Sequence, residues 1–310
     1  MFDNIKLTTV SWIIGIFLAV TTLIILVSAT VVQHNINFIE STWQVYQTDR
    51  SEKARLETAL RSEIGFDGMI HSFKNYVLRH QSVYKQRVTF HVGSAEGIIK
   101  QYRSLDLDEA ERAALDDLLI VLNNYVAAAE KVEIMLSQGR STTEMDQAVK
   151  VDDAPALRAL RTLRAEVIPS DRPESASKLS KSRLAADLRA TLGYGGMIHL
   201  YKNYLLRYEN TPNSIYNQTM LTNIEKDIQA ALAVIAQYHQ SGTTSAEKMA
   251  LEDIENVLAQ YQSKTKEISL LAQKNMTVED IDQKVQVDDA LAIRGLKILD
   301  SEIYRQLNIR

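Results

Sequence analysis

Arg61–Arg79 reads RSEIGFDGMIHSFKNYVLR, and Arg189–Arg207 reads RATLGYGGMIHLYKNYLLR. Eleven of the nineteen positions are identical, and most of the rest exchange like for like, as Ile64 for Leu192 and Phe66 for Tyr194. The second stretch follows the first by 128 positions (199 minus 71). A second pair repeats too: DQAVKVDDAPALRALRTL at Asp146–Leu163 and DQKVQVDDALAIRGLKIL at Asp282–Leu299, 136 positions apart (282 minus 146). One unit is therefore written twice. The difference of eight (136 minus 128) is length added in the second copy, partly at Asn210-Thr211-Pro212-Asn213, which reads as a loop.

The unit reads as helical. Among 310 residues there are only four prolines and eleven glycines, and Ala, Leu, Glu, Lys, Gln and Ile dominate. Each copy supports four helices. Helix A runs from about Asn35 to His80 and helix B over about Val83–Arg103. Helix C starts after Asp106 or Asp108 and ends near Gly139. Helix D starts at Ser141-Thr142-Thr143-Glu144, whose Ser-x-x-Glu spacing is a capping box, and Thr277-x-x-Asp280 is a weaker version in the second copy. Leu115, Leu118, Leu119 and Leu122 have the spacing of bundle packing. The expected fold is all-α: an N-terminal transmembrane helix, then two tandem, homologous four-helix-bundle modules at 33–168 and 183–310, joined by a Pro- and Ser-containing linker at 169–182.

Ser11–Val32 is apolar and uncharged, long enough to cross a bilayer as one helix. It exceeds the usual core of a cleaved signal, and no convincing small-x-small cleavage site follows, so it reads as an uncleaved anchor. Lys6 and the amino terminus against Asp3 place residues 1–10 in the cytoplasm and the bulk outside it. In a bacterium this means the inner membrane, with the bulk in the periplasm. The net charge of −4 offers no basic excess for nucleic acid, and the lack of cysteine excludes thiol chemistry and Cys-ligated metals. No P-loop, dinucleotide glycine motif, HExxH or nucleophile elbow occurs, so neither an enzyme nor a cofactor is expected.

The repeated stretch carries charge in one arc. With His71 at zero on a helical wheel, Lys74 lies at about −60°, Asn75 at about +40°, and Arg61 and Arg79 both at about +80°. The second copy rebuilds the arc with Arg189, His199, Lys202, Asn203 and Arg207. Gly65 and Gly68, with Gly193 and Gly196, suggest that something approaches the backbone there. Helix D supplies countercharge: Asp153 falls in the row Val149, Leu157, Leu160, and Asp289 in the row Val285, Ile293, Leu296, with Asp152 and Asp288 adjacent. Buried carboxylates need partners, and the cationic arc is the candidate. Two readings stay open: a salt-bridge network that fixes helix register, and a pocket between helices A and D. Three cations against two carboxylates leave a spare positive charge, which in the second reading favours a small anion. A metal on His71 with Asp152 or Asp153 is disfavoured by the crowding lysine and arginines. Phe66, Phe73 and Tyr76, with Tyr194, Tyr201 and Tyr204, lie largely opposite and read as packing, a tyrosine hydroxyl at the site edge being the minority view. His34, His80, His91 and His239 are not duplicated and read as surface residues.

An N-terminal anchor, a long helix leaving the membrane and a helical bundle beyond it resemble the sensor regions of bacterial transmembrane receptors, among them chemoreceptors, sensor histidine kinases and diguanylate cyclases. The stretch GMIHxxKNYxLR at Gly68–Arg79 and Gly196–Arg207 resembles segments of such regions. The resemblance implies a periplasmic sensor that passes a small helix displacement through the membrane, and a homodimer. A receptor of this kind carries a second span and an output domain. If Arg310 is the natural terminus, the chain is instead a single-pass scaffold or accessory subunit of an envelope assembly, acting through a partner.

Overall fold

A computed structural model describes residues 21–22, 52–167, 181–209 and 214–307. Residues 1–10, the candidate span 11–32 apart from Thr21–Thr22, and most of the linker lie outside the described residues. No helix among the described residues is long and apolar enough to cross a membrane. Every regular element among them is a helix. The first copy supplies α1 (52–64), α2 (Met69–Arg79), α3 (Ser82–Tyr102), α4 (Glu109–Ser137), α5 (Thr142–Ala148) and α6 (Ala154–Val167). The second supplies α7 (Lys181–Leu192), α8 (Met197–Arg207), α9 (Ile215–Gln240), α10 (Ser245–Ala272), α11 (Val278–Lys284) and α12 (Ala290–Leu307), in the same order.

Side-chain caps place most helix starts. Asp108 with Glu111, Ser141 with Glu144 and Thr244 with Glu247 form complete capping boxes. Thr277 accepts from the Asp280 N–H without the reciprocal bond, so it is the weaker cap that its sequence suggests.

Two helices expected to be continuous are broken. Helix A divides at Gly65–Gly68 into α1 and α2, and its counterpart divides at Gly193–Gly196 into α7 and α8. Asp67 sits at φ 60° and Gly195 at φ 75°, in the left-handed region that an α-helix cannot contain. The Gly68 N–H closes the turn on the Gly65 carbonyl at 3.0 Å, and the Gly196 N–H on the Gly193 carbonyl at 3.0 Å. A histidine stabilises each turn. The Asp67 N–H donates to His71 Nδ1 at 3.2 Å, and the Gly195 N–H to His199 Nδ1 at 3.2 Å. The duplicated glycines and histidine thus share a local cause: they build the turn. Helix D divides likewise, at 149–153 and 285–289, where Asp152 accepts from the Ala154 N–H and Asp288 from the Ala290 N–H, each at 3.0 Å.

The described residues from Lys53 onward pack as one compact unit, and the hydrophobic core runs through both copies. Leu115, Leu118 and Leu122 are buried, as their spacing requires, while Leu119 is half-buried. Inside the unit, α1 and α7 run side by side in the same direction. Arg189 donates to Ser62 Oγ at 3.4 Å, Gly65 packs on Gly193, and Arg164 of α6 is paired with Asp187 of α7. The outer helices return antiparallel: the Arg61 guanidinium reaches the Leu160 carbonyl at 3.0 Å, and Arg189 reaches that of Leu296 at 3.2 Å. Lys181 at the start of α7 bonds Glu247, whose cap partner Thr244 bonds Glu302 near the end of α12. The start of α1, the start of α7 and the end of α12 therefore lie at one end of the unit.

Candidate functional site: a polar contact shared by the two copies

The charged arc does not face a pocket within its own copy. It faces the other copy. Arg79 grips Asp282 of the second copy through Nε at 2.7 Å and Nη2 at 3.4 Å. Arg207 grips Asp146 of the first copy through Nε at 2.6 Å and Nη2 at 3.1 Å. The lysines stay within their own copies: Lys74 lies 3.5 Å from Asp146, and Lys202 3.5 Å from Asp282. Each buried aspartate therefore holds a lysine from its own half and a forked arginine from the other. The exchange is reciprocal, as at an isologous dimer interface.

A second pair of carboxylates crosses too. His71 Nε2 lies 3.3 Å from Asp289, and His199 Nε2 3.3 Å from Asp153. Because each Nδ1 accepts from the backbone, hydrogen-bond geometry assigns the ring proton to Nε2, which faces the carboxylate. Tyr125 donates to Asp153 at 2.5 Å and Tyr261 to Asp289 at 2.7 Å. Asp153 gains a second donor, the hydroxyl of Tyr194. The first-copy residue equivalent to Tyr194 is Phe66, which has no hydroxyl.

Electrostatics follow burial and pairing. Burial works against ionisation of Asp146 and Asp282, but Arg207 with Lys74, and Lys202 with Arg79, outweigh it and hold both carboxyls below their ordinary value. Burial lowers Lys74 to about 8 against the pull of Asp146, and lowers Lys202 in the same way. Burial and the nearby cations keep both histidines neutral: His71 is driven well below its ordinary value, and His199 to about 4. Asp289 is raised to about 6, by burial first, with its Tyr261 bond opposing.

Of the residues singled out in the sequence, the structure brings together His71, Lys74, Arg79, Asp153, His199, Lys202, Arg207 and Asp289. Asn75 and Asn203 lie on the same helices, and the Oδ1 of each is buried without a hydrogen-bond partner. Four residues are elsewhere. Arg61 precedes the break, so the helical wheel does not carry it onto the arc; it pairs with Glu57 and the Leu160 carbonyl. Arg189 pairs with Asp300 at 2.5 Å. Asp152 and Asp288 are exposed caps of α6 and α12. The carboxylates that the cations do use, Asp146 and Asp282, open both copies of the second repeat, and that position was the available signal. Among the described residues the contact holds Lys74, Arg79, Lys202 and Arg207 against Asp146, Asp153, Asp282 and Asp289. Four cations meet four carboxylates. The spare positive charge expected from sequence is absent, because it was Arg61 and Arg189 that supplied it.

A groove of about 260 Å³ lies apart from this contact, against α4 and the loop between α5 and α6. Asn124, Ala128, Lys131, Val149, Val151 and Asp152 are among its walls. In the second copy Lys264 replaces Ala128, and its ammonium bonds the Lys284 carbonyl at 3.0 Å.

No group of His, Asp or Glu able to hold a metal ion occurs among the described residues. Compared with protein-family models, with curated proteins and with solved structures, the chain matches none.

Proposed function

We propose that the chain is the membrane-anchored, extracytoplasmic sensory region of a bacterial signal-transduction receptor, built as two homologous helical modules whose relative position is the signal. The observation that carries this reading is the reciprocal contact: Arg79 on Asp282 and Arg207 on Asp146, buried between copies that enter and leave the unit at one end. Buried ion pairs are demanding in geometry and weak in net stabilisation, so such an interface has definite alternatives rather than continuous play. A shift between the copies moves the end of α12 relative to the start of α1. That is the displacement a receptor of this architecture passes across a membrane.

The charge balance of the contact moves the expected ligand away from the arc. The groove beside residues 149–152 is the better place, because this loop joins Asp146 to Asp153, and both touch the second copy. Lys131 and Lys150 at its rim suit a small carboxylate, with Asp152 set against a strongly charged one. Thermal-shift measurements on the full chain in detergent, with a panel of small organic acids, test this. The expected result is stabilisation by a monocarboxylate that disappears in Ala128→Lys, which copies the second repeat and fills the groove. Stabilisation that persists in Ala128→Lys, or none by any acid, overturns the placement.

A second reading has its own observation. The polar groups of the contact largely satisfy one another, as internal ties of a single-pass scaffold or accessory subunit would. Purification from the native membrane in one species with a stoichiometric unrelated partner favours that reading.

A further inference from the structure

We infer that the second copy carries the groove of the first in a self-occupied form: the Lys264 side chain lies across it, and its ammonium fills a site whose partners suit a primary amine. This rests on the reading of the first-copy groove as a binding site.

The repeat supplies the comparison. At the offset of 136, Ala128, Lys131 and Lys150 of the groove become Lys264, Glu267 and Gln286. Ala148 and Lys284 end α5 and α11, and the last carbonyls of a helix have no partner within it. An ammonium meets that carbonyl in both copies, but it comes from different places. In the first copy Lys131 reaches the Ala148 carbonyl at 2.8 Å from the rim. In the second copy Lys264 reaches the Lys284 carbonyl at 3.0 Å. Ala128 and Ala148 are both walls of the groove. A side chain that starts at the equivalent of one and ends on the equivalent of the other spans the space between them. The Lys264 side chain is 31% exposed, so most of its length is shielded from water. The rim position that held a lysine in the first copy carries Glu267, whose carboxylate takes the same ammonium at 2.7 Å.

The exchange reverses the charge of the groove. The first copy sets Lys131 and Lys150 against Asp152. At the equivalent positions, and with Lys264 set aside, the second copy has Glu267 and Asp288 against Lys284. The first suits a carboxylate and the second an ammonium, which Lys264 provides from within the chain. A tethered group binds without the entropy cost of capture from solution, so this site is filled at rest. The chain therefore takes one external ligand, on the first copy, while the second stays in its filled state as a fixed reference.

Chemical rescue on the full chain in detergent tests this. Propylammonium carries the atoms that Lys264→Ala deletes. Lys264→Ala is expected to melt a few degrees below the wild type, and propylammonium chloride to recover most of that loss in a saturable way. The wild type should not respond, nor should Lys264→Met, whose stem still fills the groove. In Lys264→Ala with Glu267→Gln, the concentration for half recovery should rise about tenfold. An equal response in wild type and Lys264→Ala, no recovery, or recovery by propanol as large as by propylammonium would overturn the proposal. If Lys264→Ala does not fold alone, the yield of folded protein in propylammonium is the same test. Calorimetric titration of the wild type with acetate, propionate and lactate separates the two readings. Recovery by propylammonium with no acid bound sinks the first-copy site alone. One acid bound without recovery sinks the Lys264 plug alone, and two acids bound per wild-type chain sink it as well.

Discussion

Gly65 and Gly193 lie back to back where the two copies cross: a Cβ on Gly65 would come within 3.2 Å of the Gly193 Cα, and one on Gly193 within 3.1 Å of the Gly65 Cα. Each such Cβ would also press on a backbone carbonyl of its own copy, Arg61 at 2.5 Å or Arg189 at 2.7 Å. Neither neighbour is the end of a flexible side chain, so the backbone would have to move. Gly65→Ala and Gly193→Ala should each destabilise by about 1–3 kcal/mol, as overpacking does. Gly93→Ala is the control. It lies in α3 with open space around it, and should stabilise by up to ~1 kcal/mol through helix propensity. Urea unfolding of the three variants checks this; equal effects at Gly65 and Gly93 would refute the close approach.

The exchanged ion pairs are expected to be costly to break and cheap to replace. Asp146→Ala leaves the buried Lys74 and the half-buried Arg207 without their carboxylate, and should cost about 3–5 kcal/mol. Removing the whole group, as Lys74→Met with Asp146→Leu and Arg207→Met, should restore most of the loss, because desolvation of the charges is removed together with their attraction. Denaturant midpoints of the single and triple variants give the comparison. A triple variant as unstable as the single one would mean that the pairs contribute net stability.

The all-helical character and the repeat were legible because helical periodicity and side-chain caps are local signals. Glu144 three residues after Ser141 marks a helix start in any context. The break at Gly65–Gly68 was written in the same residues and was misread, since the apolar pattern continues through it and each glycine alone is tolerable in a helix. Once Arg61 was carried across the break on a continuous wheel, it joined an arc that it does not reach. The exchange between copies had no local signal at all. Asp146 opens the second repeat but lies outside the apolar row that singled out Asp153. Only the packing of α5 against α8 places it under Arg207.

Alkali should stabilise the protein over a limited window. Lys74 falls from its ordinary 10.5 to about 8 in the fold, chiefly through burial, and Lys202 shifts the same way. Between those values the unfolded chain binds more protons than the folded one, so stability rises with pH. The slope for one such lysine approaches ~1.4 kcal/mol per pH unit. The carboxylates act at the other end: Asp146 and Asp282 are depressed by their cations, so their contribution is complete above pH 4 and is lost as the pH falls below it. Urea midpoints from pH 7 to 9.5 in the wild type and Lys74→Met decide the alkaline arm. A midpoint that does not rise in the wild type, or that rises equally in the variant, would show that Lys74 does not titrate there.

The hydroxyls of the second copy offer a test of the asymmetry that leaves every charge in place. Tyr194 donates to Asp153 and Tyr201 to the Val285 carbonyl at 2.7 Å, and their counterparts are Phe66 and Phe73. Tyr194→Phe removes a bond to a carboxylate and should cost about 1.5–3 kcal/mol at pH 7, whereas Tyr201→Phe removes one to a neutral acceptor and should cost about 0.5–1.5 kcal/mol. Urea unfolding of the two variants at pH 7 gives the comparison, and a cost of Tyr194→Phe no larger than that of Tyr201→Phe would mean that the bond to the Asp153 carboxylate adds nothing beyond a neutral one.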